Sequence, residues 1–436
     1  MGALVAILHK VHTWYWLHVR IPVWRIVMAM YAKIGYRRSI RRLRRVYGTR
    51  KMRVAFIVSE VAKWKGQSVY DLMSRSDGFD PFMAVIPCAG ELQGNGDSIE
   101  VKVSDRVKYF KDKQMRVVSA WDGARGRIVD SKTLNADLIF YQQPWDYFGR
   151  LAPQIVSSRA LTFYFPYYML NNADVMHEVG LEFHRMIFGH IVNSAETAKM
   201  FESDRKSFGF AHISRFLPLG HPMMDNFYLK MGKVKRLGYV IYAPHWSITY
   251  GDFTSVVKYG TFLWNGRAIL DYAKRHPEVK WVFKPHPSLR NALLKSGAMS
   301  EKEIDSYYHE WERVGIACYT ADYVDLFLAA KAMITDCGSF LTEFAATGGP
   351  IIRLISDLMT AEPQPSLKAV YSTYYEVRNL QELYQALDRV VVGEEDPNGE
   401  ERRAAVRAAG LLGTYAAKNI VAYLDRLLSG DGAEIK

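Results

Sequence analysis

Ala332-Met-Ile-Thr-Asp-Cys-Gly-Ser339 is the stretch of this chain that decides the fold. Its first four residues have the pattern of a buried strand, and they run through a glycine turn into a helical pattern over residues 340–347. A strand that passes directly into a helix is the basic unit of a parallel sheet. The turn would expose the backbone N–H groups of Gly338 and Ser339 to an anion at the positive end of the helix. An ordinary N-cap, in which Ser or Asp satisfies those amides, accounts for the same residues.

The alternation of short apolar runs with amphipathic stretches continues in both directions. A first series of strands is expected at 54–58, 82–87, 138–141, 161–165 and 191–192, with a helix at 67–73. A second series is expected at 239–243, 280–283, 332–335 and 351–354, with helices at 267–274, 323–330, 340–347 and 380–391. Residues 400–428 have the pattern of one long amphipathic helix. These elements predict an α/β fold with two Rossmann-like domains.

Chain length and turn residues give the expected domain boundaries. With 436 residues, the chain is longer than a single hydrophobic core usually supports. The periodicity lapses after the loop of residues 220–225. We therefore expect a basic aromatic segment of residues 1–50, an N-terminal α/β domain of residues 51–225, a C-terminal α/β domain of residues 226–395 and a C-terminal helix of residues 396–436.

The net charge of +12 comes from one end of the chain. Thirteen of the 57 Lys and Arg residues precede Glu60, which is the first acidic residue, so that 44 remain to balance 45 acidic residues. The body of the protein is thus almost neutral, and we expect no nucleic acid as a partner. The three cysteines, Cys88, Cys318 and Cys337, form no Cys-x-x-Cys pair, which favours a reducing cytoplasm over a disulfide framework or a zinc site.

Residues 1–50 combine basic residues with aromatic ones such as Trp14, Trp16 and Trp24, which suits a membrane interface. The apolar stretch 3–19 is a poor membrane span because Lys10 and three histidines interrupt it. Most positive charges of residues 1–50 follow this apolar stretch, whereas those of a signal peptide precede it. The arginines of residues 37–45 would attract anionic lipids. We expect a peripheral protein at the cytoplasmic face of the cell membrane; a helix packed on the body and an RNA-binding arm are the alternatives.

Polar segments follow the strands of the second half, where an open parallel sheet binds its ligands. They are residues 244–247, 284–290, 335–339 and 347–350. The segment 284–290 carries the side chains of Lys284, His286 and Arg290. Their charges and hydrogen bonds suit the stabilisation of a leaving nucleoside diphosphate without a tightly bound metal or cofactor. Glu343, four residues after Ser339, would meet a ribose or the transferred group, or else face solvent. The predicted donor site has His286 as a catalytic residue and Lys284, Arg290, Asp336, Gly338, Ser339, Glu343 and His245 as donor-binding or phosphate-binding residues.

Two segments of the first half, residues 59–68 and 141–146, follow strands and are rich in hydrogen-bonding and aromatic groups. They suit an acceptor that carries hydroxyl groups, and structural loops are the alternative interpretation. The predicted acceptor residues are Lys63, Trp64, Gln67, Gln142 and Gln143, with Glu60 or Asp146 as the general base. No metal site is expected, since His177 and His184 lie seven residues apart but have no evident third ligand.

Several of these segments together resemble the CDP-glycerol glycerophosphotransferases, the primases and polymerases of wall teichoic acid. The similar segments are Tyr242-Ala-Pro244, Lys284-Pro-His-Pro287, Thr335-Asp-Cys-Gly-Ser-Phe-Leu-Thr-Glu-Phe344 and Gly349-Pro-Ile-Ile-Arg353, with Asn193-Ser-Ala-Glu196 and Gly220-His-Pro-Met-Met-Asp225 before them. They cover roughly residues 190 to 355 in family order, which is more specific than any single motif.

The resemblance implies a GT-B arrangement of two Rossmann-like domains. It also implies a membrane-associated enzyme that moves phosphoglycerol from CDP-glycerol, a substrate rather than a bound cofactor, to a cell-surface polymer. By its position, His286 is similar to the family histidine that helps to bind the donor phosphate, and Ser339 to a residue that contacts the diphosphate.

The chain departs from the family pattern at two points. Lys284 stands where the family has arginine, which binds phosphate through two parallel hydrogen bonds. The family's N-domain Trp-His-Gly-Thr segment, which carries the candidate base, has no match, and Tyr164-Phe-Pro-Tyr-Tyr168 occupies the corresponding place. Two alternatives therefore stay open: a glycosyltransferase that uses a nucleotide sugar in capsule or lipopolysaccharide synthesis, and a non-catalytic nucleotide-binding scaffold at the membrane.

Overall fold

The computed structural model describes residues 19–92, 99–147, 149–169, 181–206, 212–255, 257–319, 323–359, 362–412 and 415–431. The chain divides into two compact units. Unit 1 comprises Met1–Tyr167, Asp174–Met223 and Tyr415–Lys436, and unit 2 comprises Tyr168–Ala173 and Met224–Thr414.

The elements are numbered here in chain order. The helices are α1 (Ile21–Val46), α2 (Gln67–Ser74), α3 (Ala89–Leu92), α4 (Ile99–Asp112), α5 (Ser131–Leu134), α6 (Pro153–Val156), α7 (Glu182–Met186), α8 (Ala195–Arg205), α9 (Pro222–Lys230), α10 (Phe262–Arg275), α11 (Leu289–Ser296), α12 (Glu301–Val314), α13 (Val324–Ala329), α14 (Gly338–Ala345), α15 (Lys368–Tyr371), α16 (Leu380–Ala386), α17 (Gly399–Ala408) and α18 (Ala416–Ser429). The strands are β1 (Met52–Val58), β2 (Phe79–Val85), β3 (Val117–Ser119), β4 (Trp121–Asp122), β5 (Arg127–Ile128), β6 (Leu138–Tyr141), β7 (Leu161–Tyr164), β8 (Gly189–Val192), β9 (Arg215–Pro218), β10 (Tyr239–Ala243), β11 (Thr249–Tyr250), β12 (Phe253–Thr254), β13 (Lys280–Phe283), β14 (Ile316–Ala317), β15 (Ala330–Thr335), β16 (Ile351–Leu354) and β17 (Tyr375–Val377).

Unit 1 is built on a seven-stranded sheet in the order β3-β2-β1-β6-β7-β8-β9. Every neighbouring pair in this sheet is parallel. Strand β1 is a nearly continuous apolar run because a central strand of a parallel sheet is buried on both faces. Its alternate side chains enter two separate cores, with Val54 and Phe56 in one and Ala55 and Ile57 in the other.

Helix α1 is an integral part of unit 1. Its buried residues recur with helical spacing, and they include Ala32, Tyr36 and Ile40 of the core beneath the sheet. The Tyr36 hydroxyl donates to the backbone oxygen of Met186 and lies 2.5 Å from Thr162 Oγ1. At Gly35, an added Cβ would lie 2.4 Å from Ser157 Oγ, so that only glycine lets the helix approach this closely.

The opposite face of α1 is apolar in its first half and basic in its second. Seven of its apolar side chains are 43–60% exposed: those of Val23, Trp24, Ile26, Val27, Met30, Tyr31 and Ile34. Exposed arginines follow at positions 37, 38, 41, 42 and 45. Trp14 and Trp16, which the sequence also assigns to a membrane interface, lie outside the described residues. Among the described helices, none is both long enough and sufficiently apolar to cross a bilayer.

Unit 2 is built on a six-stranded sheet in the order β14-β13-β10-β15-β16-β17. Its neighbouring strands are all parallel. Counted along the chain, the strand order is 3-2-1-4-5-6, which is that of the dinucleotide-binding Rossmann fold. The predicted α/β fold with Rossmann-like domains is confirmed.

The strand order reverses at one point in each sheet, between β1 and β6 in unit 1 and between β10 and β15 in unit 2. Loops from adjacent strands diverge at such a point and leave a crevice beyond the carboxyl ends of the strands, where ligands bind. The functional residues predicted after these strands therefore fall at the two switch points, one in each unit.

The ends of the chain differ from the prediction. Residues 1–50 and 396–436 do not form units of their own, since α1 and α18 belong to unit 1 while α17 belongs to unit 2. The division within α9, between Met223 and Met224, lies two residues before the expected boundary. The prediction of a single continuous helix over residues 400–428 is wrong. Gly410, with φ of +68°, follows the end of α17, and α18 begins only at Ala416.

Candidate functional site

Asp336 ties together two loops at the switch point of unit 2. Its buried carboxylate accepts hydrogen bonds from the backbone N–H groups of His245 (2.6 Å) and Thr261 (2.7 Å) and from the Thr261 hydroxyl (2.8 Å). Burial raises the pKa of Asp336, and these hydrogen bonds lower it in part. Since a carboxylate occupied in this way does not bind an anionic phosphate, we correct the prediction: Asp336 positions the loops that carry the donor site.

His245 and His286 follow neighbouring strands, and their rings lie 5.6 Å apart. Burial lowers the pKa of His245 to about 3 and the pKa of His286 to about 4, the latter with a contribution from the charge of Lys284. In each ring Nδ1 accepts the backbone N–H of the residue two positions later, Ser247 at 3.1 Å and Ser288 at 3.1 Å. Both imidazoles are therefore neutral at pH 7 and carry their proton on Nε2, as a hydrogen-bond donor.

Lys284 is a buried cation beside this pair. Its ammonium lies 5.1 Å from the centre of the Tyr323 ring and 5.9 Å from that of Phe340. Contacts with ring faces stabilise a cation that has lost part of its hydration. The backbone of the Lys284 segment is fixed to β10 and to the loop after it, since Lys284 N–H donates to the Tyr242 oxygen at 2.8 Å and His286 N–H to the Pro244 oxygen at 3.0 Å. The structure thus brings three of the predicted donor residues, Lys284, His286 and His245, together.

Helix α14 begins at Gly338, next to these groups in the loop after β15. Its N-cap residue is Cys337, and neither the Asp336 carboxylate nor a serine hydroxyl caps it. The alternative interpretation of this turn, a cap formed by Ser or Asp, is therefore wrong. Burial raises the pKa of Cys337 to about 12, so that its thiol stays protonated. The first turn of α14, with Ser339, presents the positive end of a helix.

Glu343 and Arg290 have different surroundings from those expected. The Glu343 carboxylate is buried and accepts a hydrogen bond from Tyr323 Oη at 2.6 Å, so that it does not face solvent. Arg290 pairs with Glu301 and Asp305 of α12, at 3.1 and 2.8 Å. The guanidinium of Arg290 is thus directed toward a surface ion pair, and it does not join the contacts among Lys284 and the two histidines.

A cavity of about 850 Å³ opens beyond the carboxyl ends of β16 and β17. Its walls carry Arg353, Lys368 and Arg378 beside Glu376, and Arg353 also lines a small neighbouring cavity that reaches Asp336. Arg353 is held by an ion pair with Glu376 (2.7 Å) and lies over the Tyr371 ring. The volume lies in the range of small-molecule sites, and the cations suit a phosphorylated ligand.

Asp146 holds the switch point of unit 1 in the way that Asp336 holds that of unit 2. Its buried carboxylate accepts hydrogen bonds from Ser59 Oγ (2.9 Å), from the backbone N–H of Ala89 (2.8 Å) and from Gln143 Nε2. The residue has φ of +73°, in the left-handed region that Asp tolerates through such local contacts. We therefore correct the prediction of Asp146 as general base and that of Gln143 as an acceptor ligand, because both side chains are used inside the fold.

Glu60 and Lys63 remain accessible at the same switch point and form an ion pair. The Lys63 ammonium also lies 5.2 Å from the centres of the Trp145 and Tyr167 rings. Neither residue was named as an acceptor ligand, although Trp145 belongs to the predicted segment 141–146 and Tyr167 follows β7. The exposed ring of Trp145 and the partly buried ring of Tyr167, beside a charged pair, suit a ligand with hydroxyl groups.

In the buried side-chain amide of Gln142, only one of the two polar atoms makes a hydrogen bond within the described part of the chain. Its Oε1 accepts from the Lys65 backbone N–H at 2.6 Å, whereas Nε2 has no partner within the described part of the chain. A buried donor without a partner costs roughly 1–3 kcal/mol. The group therefore marks a point at which a ligand oxygen would be favourable.

Trp64 and Gln67 turn away from this cluster. The Trp64 ring packs on Phe56 and Phe110 of the core, and its Nε1 donates to Gln67 Oε1 at 2.9 Å. Gln67 in turn donates to Asp71 at 2.8 Å. The prediction of these two residues as acceptor ligands is corrected, because their polar groups are paired with each other and with helix α2.

No metal centre can be identified among the described residues. No three side chains of His, Cys, Asp and Glu in these ranges are placed to hold an ion. His184 is buried against the rings of Tyr164, Phe183 and His190. His177 lies outside the described residues.

Comparison with known proteins adds the fold class. No family model matches this chain, and none of the curated proteins is a match. Among solved structures, the similar ones are GT-B proteins, and this chain likewise has two Rossmann-like domains of the GT-B class.

Two kinds of protein represent this class among the similar structures. The wall teichoic acid polymerase TagF is 11% identical, with a TM-score of 0.51 over 96% of this chain and 100% of that one. A TagF variant soaked with CDPG has a TM-score of 0.52 at 11% identity, over 87% of this chain and 90% of that one. The UDP-GlcNAc 2-epimerase from Neisseria meningitidis bound to UDP-GlcNAc has a TM-score of 0.51 at 12% identity, over 86% and 100%. The fold implied by the teichoic acid resemblance is confirmed; identities this low establish the fold alone.

Proposed function

We propose that this chain is a transferase that binds a CDP-activated donor in unit 2. It moves phosphoglycerol, or a related polyol phosphate, to a hydroxyl of a glycan or lipid-linked acceptor bound by unit 1. The observation that carries the proposal is the group of Lys284, His245 and His286 at the switch point of a Rossmann-order sheet. A cation with two neutral N–H donors binds a diphosphate without a metal ion.

In the proposed reaction, the acceptor oxygen attacks the phosphorus of the transferred group. The bond from that phosphorus to the bridging oxygen breaks, CMP leaves with the electron pair, and the hydroxyl proton passes to a base. Lys284, the two Nε2–H groups and the first turn of α14 stabilise the charge that develops on the phosphate oxygens. Glu60 is the remaining candidate base, since its carboxylate is not consumed by internal hydrogen bonds as that of Asp146 is.

A nucleotide-sugar transferase is the second candidate. The missing N-domain histidine motif favours it, and so does the fold shared with proteins that bind UDP-GlcNAc. The same cradle would then bind the diphosphate of a sugar donor while the acceptor hydroxyl attacks the anomeric carbon. A non-catalytic scaffold would bind the nucleotide and turn nothing over.

Donor binding and turnover test the proposal on the full chain. The expected result is binding of CDP-glycerol, release of CMP when a glycan acceptor is added, and an affinity that falls about tenfold in His286→Gln, because a flexible amide replaces an N–H donor that the buried imidazole holds in a fixed position. His309→Gln, at an exposed histidine, is the matched control.

Each other outcome has a defined meaning. Turnover of UDP-GlcNAc alone selects the glycosyltransferase, and nucleotide binding with no turnover selects the scaffold. Unchanged donor affinity in His286→Gln would overturn the assignment of the donor site.

We further propose that the protein works at the cytoplasmic face of an anionic membrane. Support comes from the outer face of α1, where seven exposed apolar side chains are followed by exposed arginines. Such a helix lies in the plane of the interface, with its apolar residues among the acyl chains and its cations near the headgroups.

A further inference from the structure

A cavity of unit 1 lies at the amino ends of the strands of its sheet, and so at the opposite end of the sheet from the switch point. Its volume is about 440 Å³, and its walls carry the charged residues Arg42, Arg50, Lys132, Asp137 and Arg159. These residues come from α1, from the segment before β1, and from the segments before β6 and β7. None of them belongs to the proposed transferase site.

Asp137 fixes the position of two of the arginines. Its buried carboxylate accepts two hydrogen bonds from Arg50, at 2.6 and 3.0 Å, one from Arg42 at 3.3 Å and one from the backbone N–H of Arg53 at 3.0 Å. Although burial alone would raise it, Arg50 and the other donors hold the pKa of Asp137 below its ordinary value. The carboxylate therefore stays ionised and holds the guanidinium groups ready before any ligand arrives.

The cavity keeps a large excess of positive charge. Four cations face the single carboxylate, which leaves a net charge of +3. Within the described ranges, neither Lys132 nor the Arg159 side chain makes an ion pair. The side chains of Arg42 and Arg50 are 45% and 44% exposed, so that they meet solvent as well as Asp137. Each guanidinium has five N–H donors, more than these contacts use.

We propose that this cavity binds a phosphate group, carried by an anionic lipid headgroup or by a soluble phosphate compound. Arginine forks match phosphate oxygens in pairs, and Lys132 adds a point charge. The cavity is wider than one phosphate needs, so that the ligand is a phosphate with a substituent. Arg42 belongs to α1, the helix with the exposed apolar face, and this joins the cavity to the surface proposed to meet the membrane.

Two binding measurements on the full chain test the proposal and separate the sources. The first is cosedimentation with phosphatidylcholine vesicles that contain phosphatidylglycerol, and the second is calorimetric titration with glycerol phosphate. The test variant is Lys132→Gln/Arg159→Gln, which removes two exposed charges outside the Asp137 contacts. Arg75→Gln/Lys111→Gln changes the same residue types at exposed positions elsewhere in unit 1 and is the control.

The test variant should bind about tenfold to thirtyfold more weakly in at least one measurement, while the control binds like the wild type. A loss on vesicles alone assigns the site to a lipid headgroup, and a loss with glycerol phosphate alone assigns it to a soluble ligand. His286→Gln should keep this binding, which separates the cavity from the donor site. Equal effects in the test and control variants, or no effect in either, would overturn the proposal.

Discussion

Asp146 and Asp336 occupy equivalent positions in the two units. Each follows the fourth strand of its sheet, and each accepts a hydrogen bond from the loop after the first strand, from Ser59 in one case and His245 in the other. The loops of these two strands diverge at the switch point, so that a carboxylate between them holds the crevice open at a fixed width. Sequence alone does not separate such a structural carboxylate from a ligand or a base, because each is an acidic residue in the loop that follows a strand.

Asp146→Asn should therefore affect mainly the stability of the fold, whereas Glu60→Gln should affect mainly turnover. Asp146→Asn keeps one acceptor oxygen, so that its new NH2 group faces a donor, either the Ala89 N–H or the Gln143 amide, and it should lower the free energy of unfolding by about 2–4 kcal/mol. Glu60→Gln breaks only one partly buried ion pair, in which the Glu60 side chain is 40% exposed, and its cost should stay within about 1 kcal/mol. If Glu60 is the base, Glu60→Gln should also lower turnover about 100-fold.

Denaturant unfolding and the rate of CMP release measure the two effects. Wild-type stability in Asp146→Asn would contradict its structural role, and wild-type turnover in Glu60→Gln would remove it as the base.

Among the elements, those predicted well from the sequence are the central strands. β6, β10, β13 and β16 have the predicted bounds because central strands of a parallel sheet are continuous apolar runs. Within the two large sheets, the strands that the sequence did not predict, β3, β9, β14 and β17, are all at the edges, and the two-stranded sheets β4-β5 and β11-β12 were not predicted either. An edge strand has only one neighbour, and β9 and β14 contain no fully buried residue, so that no apolar run marks them.

The sequence predicted helix α1 as part of a basic segment that binds the membrane. The structure shows in addition that one face of this helix is buried in the core of unit 1, which the sequence pattern did not indicate. Because Ala32 and Tyr36 are in the core, deletion of residues 1–50 would damage unit 1 and would not report on membrane binding. Point changes on the outer face avoid this problem.

Trp24→Ser/Val27→Ser/Met30→Ser should reduce partition onto anionic vesicles about 100-fold, since three exposed apolar side chains no longer enter the interface. The matched control is Val101→Ser/Ile155→Ser/Leu263→Ser, at exposed apolar positions of other helices. Vesicle cosedimentation gives the comparison, with thermal unfolding to verify that both variants are folded. The same partition for both variants would refute the outer face of α1 as the membrane surface.

For the molecule as a whole, buried histidines predict a loss of stability in acid. Burial lowers the pKa of His190, His221 and His286 to about 4 and that of His245 to about 3. The unfolded chain, in which a histidine has a pKa near its ordinary value of 6.5, binds more protons than the folded chain below that pH. Stability is therefore fully present above pH 6.5 and falls as the pH drops toward 4, by about 2 kcal/mol for a fully buried histidine between about pH 7 and pH 5.

His190→Phe should reduce this dependence, because it removes one titrating ring from an aromatic environment formed by Tyr164 and Phe216. The measurement is the difference in Tm between about pH 7 and pH 5, with His309→Gln as the control. An undiminished difference in His190→Phe would exclude His190 as its source.

The donor site was predicted in part because its main residues follow strands. Lys284 and His286 come from the segment after β13 and His245 from the segment after β10, and the parallel topology must bring these two segments to the same end of the sheet. Thr261 and Tyr323 were missed, since each approaches from a loop whose course depends on tertiary packing. The prediction gave Arg290 a role in donor binding that its contacts do not support. Its side chain pairs with partners on α12, which the motif does not show.

The return of α18 to unit 1 has a consequence for biosynthesis. Ile420, Leu424 and Leu428 complete the core in which Val54 and Phe56 lie, although nearly the whole chain separates them. The ribosome synthesises α18 after the whole of unit 2, so that the N-terminal sheet lacks this helix until the strands of unit 2 have been made. Unit 2, which is encoded between the two parts of unit 1, has all its strands available earlier. The usual order of N-terminal before C-terminal folding should thus be reversed in this protein, and premature stop codons after Thr414 should harm the part of the molecule that is made first.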